Sequence, residues 1–257
     1  MGHGRLERMH DQPPGRYGAV FADVYDDWFA GVSDTEATVA GLSALGIQGH
    51  VLELGVGTGR IALPLAERGG SVLGLDASRE MLDVLAAKPA TGSPVVTVLA
   101  DMVGLPFADS TVAMVFAAFN TFFNLTTEAA QHECMAEAAR VLEPSGRFVV
   151  ECFVPAPEGM PARGASVRDA SDDSVTVTTS RHDELTQVIN GEHVEVTPEG
   201  VVRRPWALRY ASPDQLDAMA AVAGLVLESR TASFSGEDFD DASESHVSVY
   251  RLDPVNP

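Results

Sequence analysis

Residues 51–60 read Val-Leu-Glu-Leu-Gly-Val-Gly-Thr-Gly-Arg, an apolar run leading into a turn with glycine at every second position. Three glycines so spaced clear away the Cβ atoms that would keep a ligand off the backbone, and a helix starting just beyond would aim free N–H groups at an anionic or polar tail. A dinucleotide fingerprint, G-x-G-x-x-G starting from Gly55, would need its third glycine at position 60, where Arg60 stands. That substitution argues against a nicotinamide-dependent reductase. The pattern is instead E-x-G-x-G-x-G, with Glu53 two residues ahead of Gly55.

The elements that must carry these residues are legible as alternating apolar runs and helical patterns. Runs at 50–54, 71–75, 95–99, 112–118 and 147–153 alternate with helical stretches at 60–68, 78–85 and 126–142. Such alternation predicts right-handed βαβ units, hence an α/β fold with a doubly wound, mostly parallel sheet. Ser78 and Thr126 or Thr127 are the expected helix caps. Residues 1–20 read as flexible, with helices at 22–31 and 35–45. Residues 155–173 carry Pro155, Pro157, Pro161, Gly159 and Gly164 and read as a mobile loop or lid. Antiparallel strands are expected at 175–179, 185–190, 193–196 and 201–210, with Asn190-Gly191 as a hairpin turn. A helix at 213–223 and strands at 225–231 and 246–252 complete a seven-stranded sheet. The expected organisation is an N-terminal helical segment (1–48), a core (49–153 and 211–252) and an inserted lid and antiparallel sheet (154–210).

At residues 49–153 the chain resembles the class I S-adenosylmethionine-dependent methyltransferases, which share the acidic residue, the glycine spacing and the strand–helix order. The resemblance implies that S-adenosylmethionine is held by Glu53, Gly55, Gly57, Thr58, Gly59, Asp76, Ala77, Met81, Asp101, Met102, Phe119 and Asn120. Asp76 lies 19 residues after Gly57, where its carboxylate would accept both ribose hydroxyls. Asp101-Met102 would meet the adenine. Phe119-Asn120, after the fourth strand, would border the methionine end.

Trp28, Phe29, Phe122, Phe123 and Phe153 are candidates for an aromatic acceptor pocket, joined by Asn124 and Tyr210. His182 and Tyr25 are the candidate catalytic groups, with His193 of the same inserted segment a further candidate for catalytic or substrate contact, and Arg181, Arg203, Arg204 and Arg209 the candidates to meet a diphosphate. The run 21–29 together with an antiparallel insertion looks like the bacterial amino-sugar N-methyltransferases of antibiotic biosynthesis. That implies an aminodeoxysugar acceptor, free or nucleotide-linked. Phe29 departs from the tyrosine of that group, so O- or C-methylation of an aromatic or polyketide molecule stays open. A non-catalytic nucleoside-binding protein is the alternative from another class.

Composition narrows the partners. With 17 Lys+Arg against 37 Asp+Glu the formal charge is −20, which repels a phosphate backbone and argues against nucleic acid. Two cysteines, Cys134 and Cys152, lack metal-ligand spacing and read as buried thiols. No metal constellation, membrane span or secretory signal is expected, and the protein reads as a cytoplasmic monomer or homodimer. Lys88 is the sole lysine.

Overall fold

A computed structural model describes residues 13–31, 34–46, 48–89, 94–156, 159–171 and 173–254. A seven-stranded sheet is built from β1 (His50–Leu54), β2 (Ser71–Asp76), β3 (Val96–Leu99), β4 (Val112–Ala117), β5 (Leu142–Phe153), β10 (Leu225–Thr231) and β11 (Ser245–Leu252). Its order is β10-β11-β5-β4-β1-β2-β3. β1 to β5 are parallel, and β11 runs antiparallel between β5 and β10. Every residue of β4, Val-Ala-Met-Val-Phe-Ala, is buried, as a strand covered on both faces requires. Alternation sorts the side chains: Leu52, Val115, Phe148 and Val150 pack on one face, Val51, Phe116 and Val149 on the other.

The helices between the strands are α4 (Ala62–Glu67), α5 (Arg79–Ala87), α6 (Glu128–Val141) and α7 (Pro213–Val222). Ser78 caps α5 by accepting from Met81 N–H, and Thr127 caps α6 by accepting from Ala130 N–H. Ser212 and Gln215 form a reciprocal capping box on α7, with Pro213 in its first turn. The chain runs outward from β1 through β2 to β3 and then crosses back to β4 on the other side of β1, so a crevice opens at the carboxyl ends of β1 and β4. No helix among the described residues is long and apolar enough to cross a membrane.

Three expectations are corrected. The N-terminal segment is helical from Arg16: α1 (Arg16–Phe21) and α2 (Tyr25–Phe29) replace one helix at 22–31, and α3 (Thr35–Ala44) follows. Gly15 and Gly18 let α1 lie directly on the start of α5, since Cβ atoms there would come within 2.2 Å of Ala77 O and 2.4 Å of Ser78 Cβ.

Secondly, the stretch read as a loop at 155–173 contains β6 (Arg163–Ala170), the edge strand of a four-stranded antiparallel sheet, β6-β7-β8-β9. Seven of its eight residues are exposed, and all but Val167 are small, polar or charged, which suits an edge and hides the strand from a hydrophobic pattern. Thirdly, Asn190-Gly191 is not a turn. Both residues lie inside β8 (Val188–Thr197), between β7 (Val175–Asp183) and β9 (Gly200–Arg209). Gly191 faces Trp206, whose indole fills the place of a side chain: a Cβ would sit 2.1 Å from the ring. The β7–β8 turn falls instead at 184–187, where Asp183 Oδ1 accepts from Leu185 and Thr186 N–H and Leu185 is 98% exposed.

Candidate functional site

A cleft of about 520 Å³ opens at the carboxyl ends of the parallel strands, between the glycine turn, α1, α2 and β9. Its floor is the turn after β1. Gly55 and Gly59 have φ of +66° and +83°, and Cβ atoms there would collide with Thr121 Cγ2 at 2.5 Å and Leu85 Cδ1 at 2.3 Å. Gly57, φ +55°, differs: its Cβ would meet nothing closer than 4.0 Å and would project into open space beside the cleft. A side chain at Gly57 would fill a cradle, the arrangement expected beneath a nucleoside and its tail.

Asp76 ends β2 beside this turn. Its Oδ2 accepts from Gly57 N–H and its Oδ1 from Ser78 N–H, each at 2.8 Å. Desolvation raises the carboxyl above its ordinary value, and the backbone N–H groups of Ser78, Gly57 and Ala77 oppose that rise. Each oxygen keeps lone-pair capacity for a pair of hydroxyls. Ala77, Met81, Asp101 and Met102 line the same end, with Asp101 Oδ1 accepting from Val103 N–H at 3.2 Å.

At the other end, Phe119 and Asn120 follow β4 with φ of +51° and +63°, a left-handed pair that L side chains adopt at a cost. Hydrogen bonds from β5 fix it. Phe119 N–H donates to Glu151 Oε2 at 2.7 Å, Asn120 N–H to Glu151 O at 3.1 Å, and Phe153 N–H to Asn120 Oδ1 at 2.7 Å. The strain turns the Phe119 ring toward Phe29 of α2, centroids 5.9 Å apart, and the Arg60 guanidinium lies 5.2 Å from the Phe119 centroid.

Tyr17, Tyr25, Phe29, His193 and Trp206 complete an aromatic wall. Burial pushes both tyrosine hydroxyls above their ordinary range, so at neutral pH they are O–H groups and not phenolates. His193 is 8% exposed, and its Nδ1 lies 2.7 Å from Thr178 Oγ1. Burial, then the Arg168 and Arg204 charges, hold it down to about 4, a neutral imidazole. The buried Trp206 Nε1–H has no protein acceptor among the described residues.

Of the expected residues, the structure brings Gly55, Gly57, Asp76, Ala77, Met81, Asp101, Met102, Phe119, Asn120, Tyr25, Phe29 and Asn124 to the cleft. Glu53, Thr58 and Gly59 lie outside its lining. Glu53 is 4% exposed beneath the turn, with Oε2 unpartnered among the described residues. Desolvation raises its carboxyl well above the ordinary value, against the opposing Arg60 charge.

Other expected acceptor and catalytic residues do not line the cleft. His182 is tied into structure, with Nε2 2.8 Å from the Tyr210 hydroxyl and Nδ1 3.3 Å from Met160 O, and neither His182 nor Tyr210 borders the cleft. Phe122 and Phe123 are fully buried against Phe148 and Phe153, so these rings serve the core. Trp28 stands just behind the wall, edge-on to His193 at 5.5 Å.

The arginines also point elsewhere. Arg209 is buried against Gln131 and Glu128. Arg204 clamps Asp23 with Nη1 and Nη2 at 2.7 and 2.9 Å. Arg203 pairs with Glu192, and exposed Arg181 lies off the cleft.

Tyr17, Arg60, Glu151 and Trp206 are residues at the site that the sequence does not mark, and His193 is the inserted-segment histidine that reaches the cleft. A tyrosine ahead of the first apolar run and an alternating aromatic in β9 carry no spacing signal of their own. They become visible only when α1 and the second sheet fold over the crevice.

Comparison with known proteins agrees with this geometry. Residues 51–146 match the methyltransferase domain family. The cypemycin N-terminal methyltransferase of a Streptomyces species is 31% identical over 202 residues, 77% of this chain and 81% of the relative. The CcbJ methyltransferase from Streptomyces caelestis is 40% identical, with a TM-score of 0.85 over 94% of this chain and 99% of that one. An amino pentose methyltransferase from Micromonospora echinaspora, determined with S-adenosylmethionine bound, shares the fold at 19% identity, TM-score 0.67, over 89% and 97% of the two chains. The chain belongs to the S-adenosylmethionine-dependent methyltransferases.

Proposed function

We propose that this enzyme methylates the amino group of a compact natural-product acceptor, an aminodeoxysugar or comparable amine, presented without a nucleotide diphosphate. One observation carries the reading: the acceptor end of the cleft is walled by aromatic rings, and the guanidinium groups beside it, Arg60 and Arg168, are stacked on Phe119 and Phe29 and are not among the described residues that line it. Arg203, Arg204 and Arg209 are engaged by Glu192, Asp23 and Glu128. Arg16, exposed at the outer lip, is the one arginine or lysine among the described lining residues. Two phosphates brought there would lose water without charged donors to replace it.

S-adenosylmethionine, when bound, supplies a methyl group already activated on a sulfonium, and Gly57, Asp76, Asp101 and Phe119 are the residues placed to hold it. The protein's own part is alignment, exclusion of water and control of the acceptor's protonation. Tyr25, Phe29 and Phe119 enclose the acceptor in an apolar wall, which disfavours an ammonium and leaves more of the amine with a free lone pair. Tyr25 acts as a hydrogen-bond donor or acceptor that orients the amine, since its hydroxyl stays protonated. Alignment of this kind accounts for roughly 7–11 kcal/mol in favourable cases, so a dedicated base is not required.

Names of related proteins support nitrogen over oxygen or carbon: an N-terminal methyltransferase and, sharing the fold, a sugar N-methyltransferase and a glycopeptide N-methyltransferase. The N-terminal segment and the second sheet, rather than the seven-stranded sheet, set the acceptor choice in this reading. The test is turnover on a panel of free aminodeoxysugars, their nucleotide diphosphate conjugates and matched hydroxy sugars. The reading expects N-methyl product from free amines. Product confined to the conjugates or to hydroxyl acceptors overturns it.

A further inference from the structure

α2 carries Tyr25 and Phe29 into the cleft, yet none of its five residues is buried. A cavity of about 240 Å³ lined by Tyr25, Asp26, Phe29, Thr35, Arg60 and Lys88 lies beside it, so its ring contacts, Phe29 on Phe119 and Trp28 on His193, are made from a helix open on that side. Polar ties take over at each end. Arg168 of β6 stacks 5.1 Å from the Trp28 and Phe29 rings and donates from Nη2 to Trp28 O at 2.6 Å.

At the other end, Asp26 reaches the cofactor turn. Thr58 Oγ1 donates to Asp26 Oδ1 at 2.5 Å, and Lys88 Nζ pairs with Asp26 Oδ2 at 2.7 Å. Lys88 Nζ also donates to Thr58 O at 2.8 Å. Burial alone would raise the Asp26 carboxyl, but the hydrogen bonds from Lys88 and Thr58 and the Lys88 charge carry it below its ordinary value. Thr58 is 1% exposed and sits next to Gly57, whose N–H is bound to Asp76. A continuous chain of contacts therefore runs from the acceptor wall through Asp26 and Thr58 to the cofactor's ribose-type carboxylate. The sole lysine of the sequence closes that chain.

We propose that Asp26, Thr58 and Lys88 form a positioning clasp that fastens the acceptor wall onto the cofactor turn, so that cofactor release requires the clasp to open. The cofactor orders the turn, the turn holds Asp26, and Asp26 sets Tyr25 and Phe29. This inference rests on the methyltransferase activity and is independent of which acceptor is used.

The experiment is stopped-flow displacement of S-adenosylhomocysteine from full-length Asp26→Asn, Lys88→Gln, the double variant and Lys88→Arg. A half-exposed ion pair sets the scale: each single change raises the dissociation rate about fivefold. The double variant matches the singles because both remove one interaction, and Lys88→Arg restores most of the wild-type rate. A merely structural role would lower the melting temperature without this pattern. Dissociation within twofold of wild type in both singles, or effects that multiply in the double, overturns the proposal. Should the variants fail to fold, hydrogen exchange on the wild-type protein decides. S-adenosylhomocysteine should slow exchange across residues 25–29, and equal exchange with and without ligand rejects the clasp.

Discussion

Replacing Asp76 with asparagine removes a charge without changing shape, and the structure sets the size of the effect. Both carboxylate oxygens accept a backbone N–H at 2.8 Å, from Gly57 and from Ser78. An amide offers one acceptor oxygen, so one of these N–H groups must face an NH₂. A buried donor left without a partner costs about 1–3 kcal/mol, and for a chain of this size each kcal/mol lowers Tm by roughly 2–4 °C. A mid-range loss therefore appears as a drop of about 4–8 °C.

The effect on the cofactor is separate. A hydrogen bond from a hydroxyl to a charged acceptor contributes about 1.5–3 kcal/mol, so Asp76→Asn should weaken S-adenosylhomocysteine roughly 10- to 150-fold by calorimetry, and Asp76→Ala at least as much. Because desolvation raises the folded carboxyl, the wild-type affinity should begin to fall, as pH is lowered, above the ordinary aspartate value of 3.8. A dissociation constant within threefold of wild type, in a variant that stays folded, would refute the assignment of Asp76 as the ribose ligand.

Glu53→Gln should stabilise the cofactor-free protein. The folded Glu53 carboxyl lies well above its ordinary 4.5, so the folded state keeps a proton that the unfolded state releases, and stability falls as pH rises through that window. The gain in Tm for glutamine should therefore be larger at pH 8 than at pH 5, and a gain that shrinks with rising pH contradicts the burial argument. Asp23→Ala leaves the buried Arg204 guanidinium without its bidentate partner and should cost about 2 kcal/mol in urea unfolding, discounted from a fully buried pair because Asp23 is exposed. Gly191→Ala forces the Trp206 ring aside. It should cost about 1–3 kcal/mol and shift the tryptophan fluorescence, and unchanged emission would mean that the ring is not held there. Tyr25→Phe should lower kcat/KM for an amine acceptor about tenfold, a loss of roughly 1.4 kcal/mol, while leaving the pH profile in place. A displaced profile would make Tyr25 a base.

The seven-stranded sheet was legible because strands such as β1 and β4 are short apolar runs with both faces buried, and because Ser78 and Thr127 cap α5 and α6 where side-chain chemistry demands it. The cofactor end was legible for the same reason: Gly55, Gly57 and Asp76 owe their positions to strand ends, which spacing reports. The second sheet was read less well. β6 pairs through backbone groups while its side chains stay in water, so Arg163–Ala170 looks like a loop, and Asn190-Gly191 imitates a hairpin turn although Gly191 is there to admit an indole. Which aromatic residues line the cleft was least legible of all. Phe122 and Phe123 are as apolar as Phe29 and Phe119, and composition cannot separate a ring that fills the core from one that faces a cleft. The arginines failed likewise, since a partner such as Asp23 lies 181 residues away from Arg204.

The central claim is methyl transfer to a free amine, and mass spectrometry with methyl-deuterated S-adenosylmethionine tests it most directly. Offered equal amounts of 2-amino-2-deoxyhexose, its nucleotide diphosphate conjugate and the corresponding hydroxy sugar, the enzyme should place the labelled methyl group on the nitrogen of the free amino sugar. Label on oxygen or carbon, or on the diphosphate conjugate alone, would contradict the account.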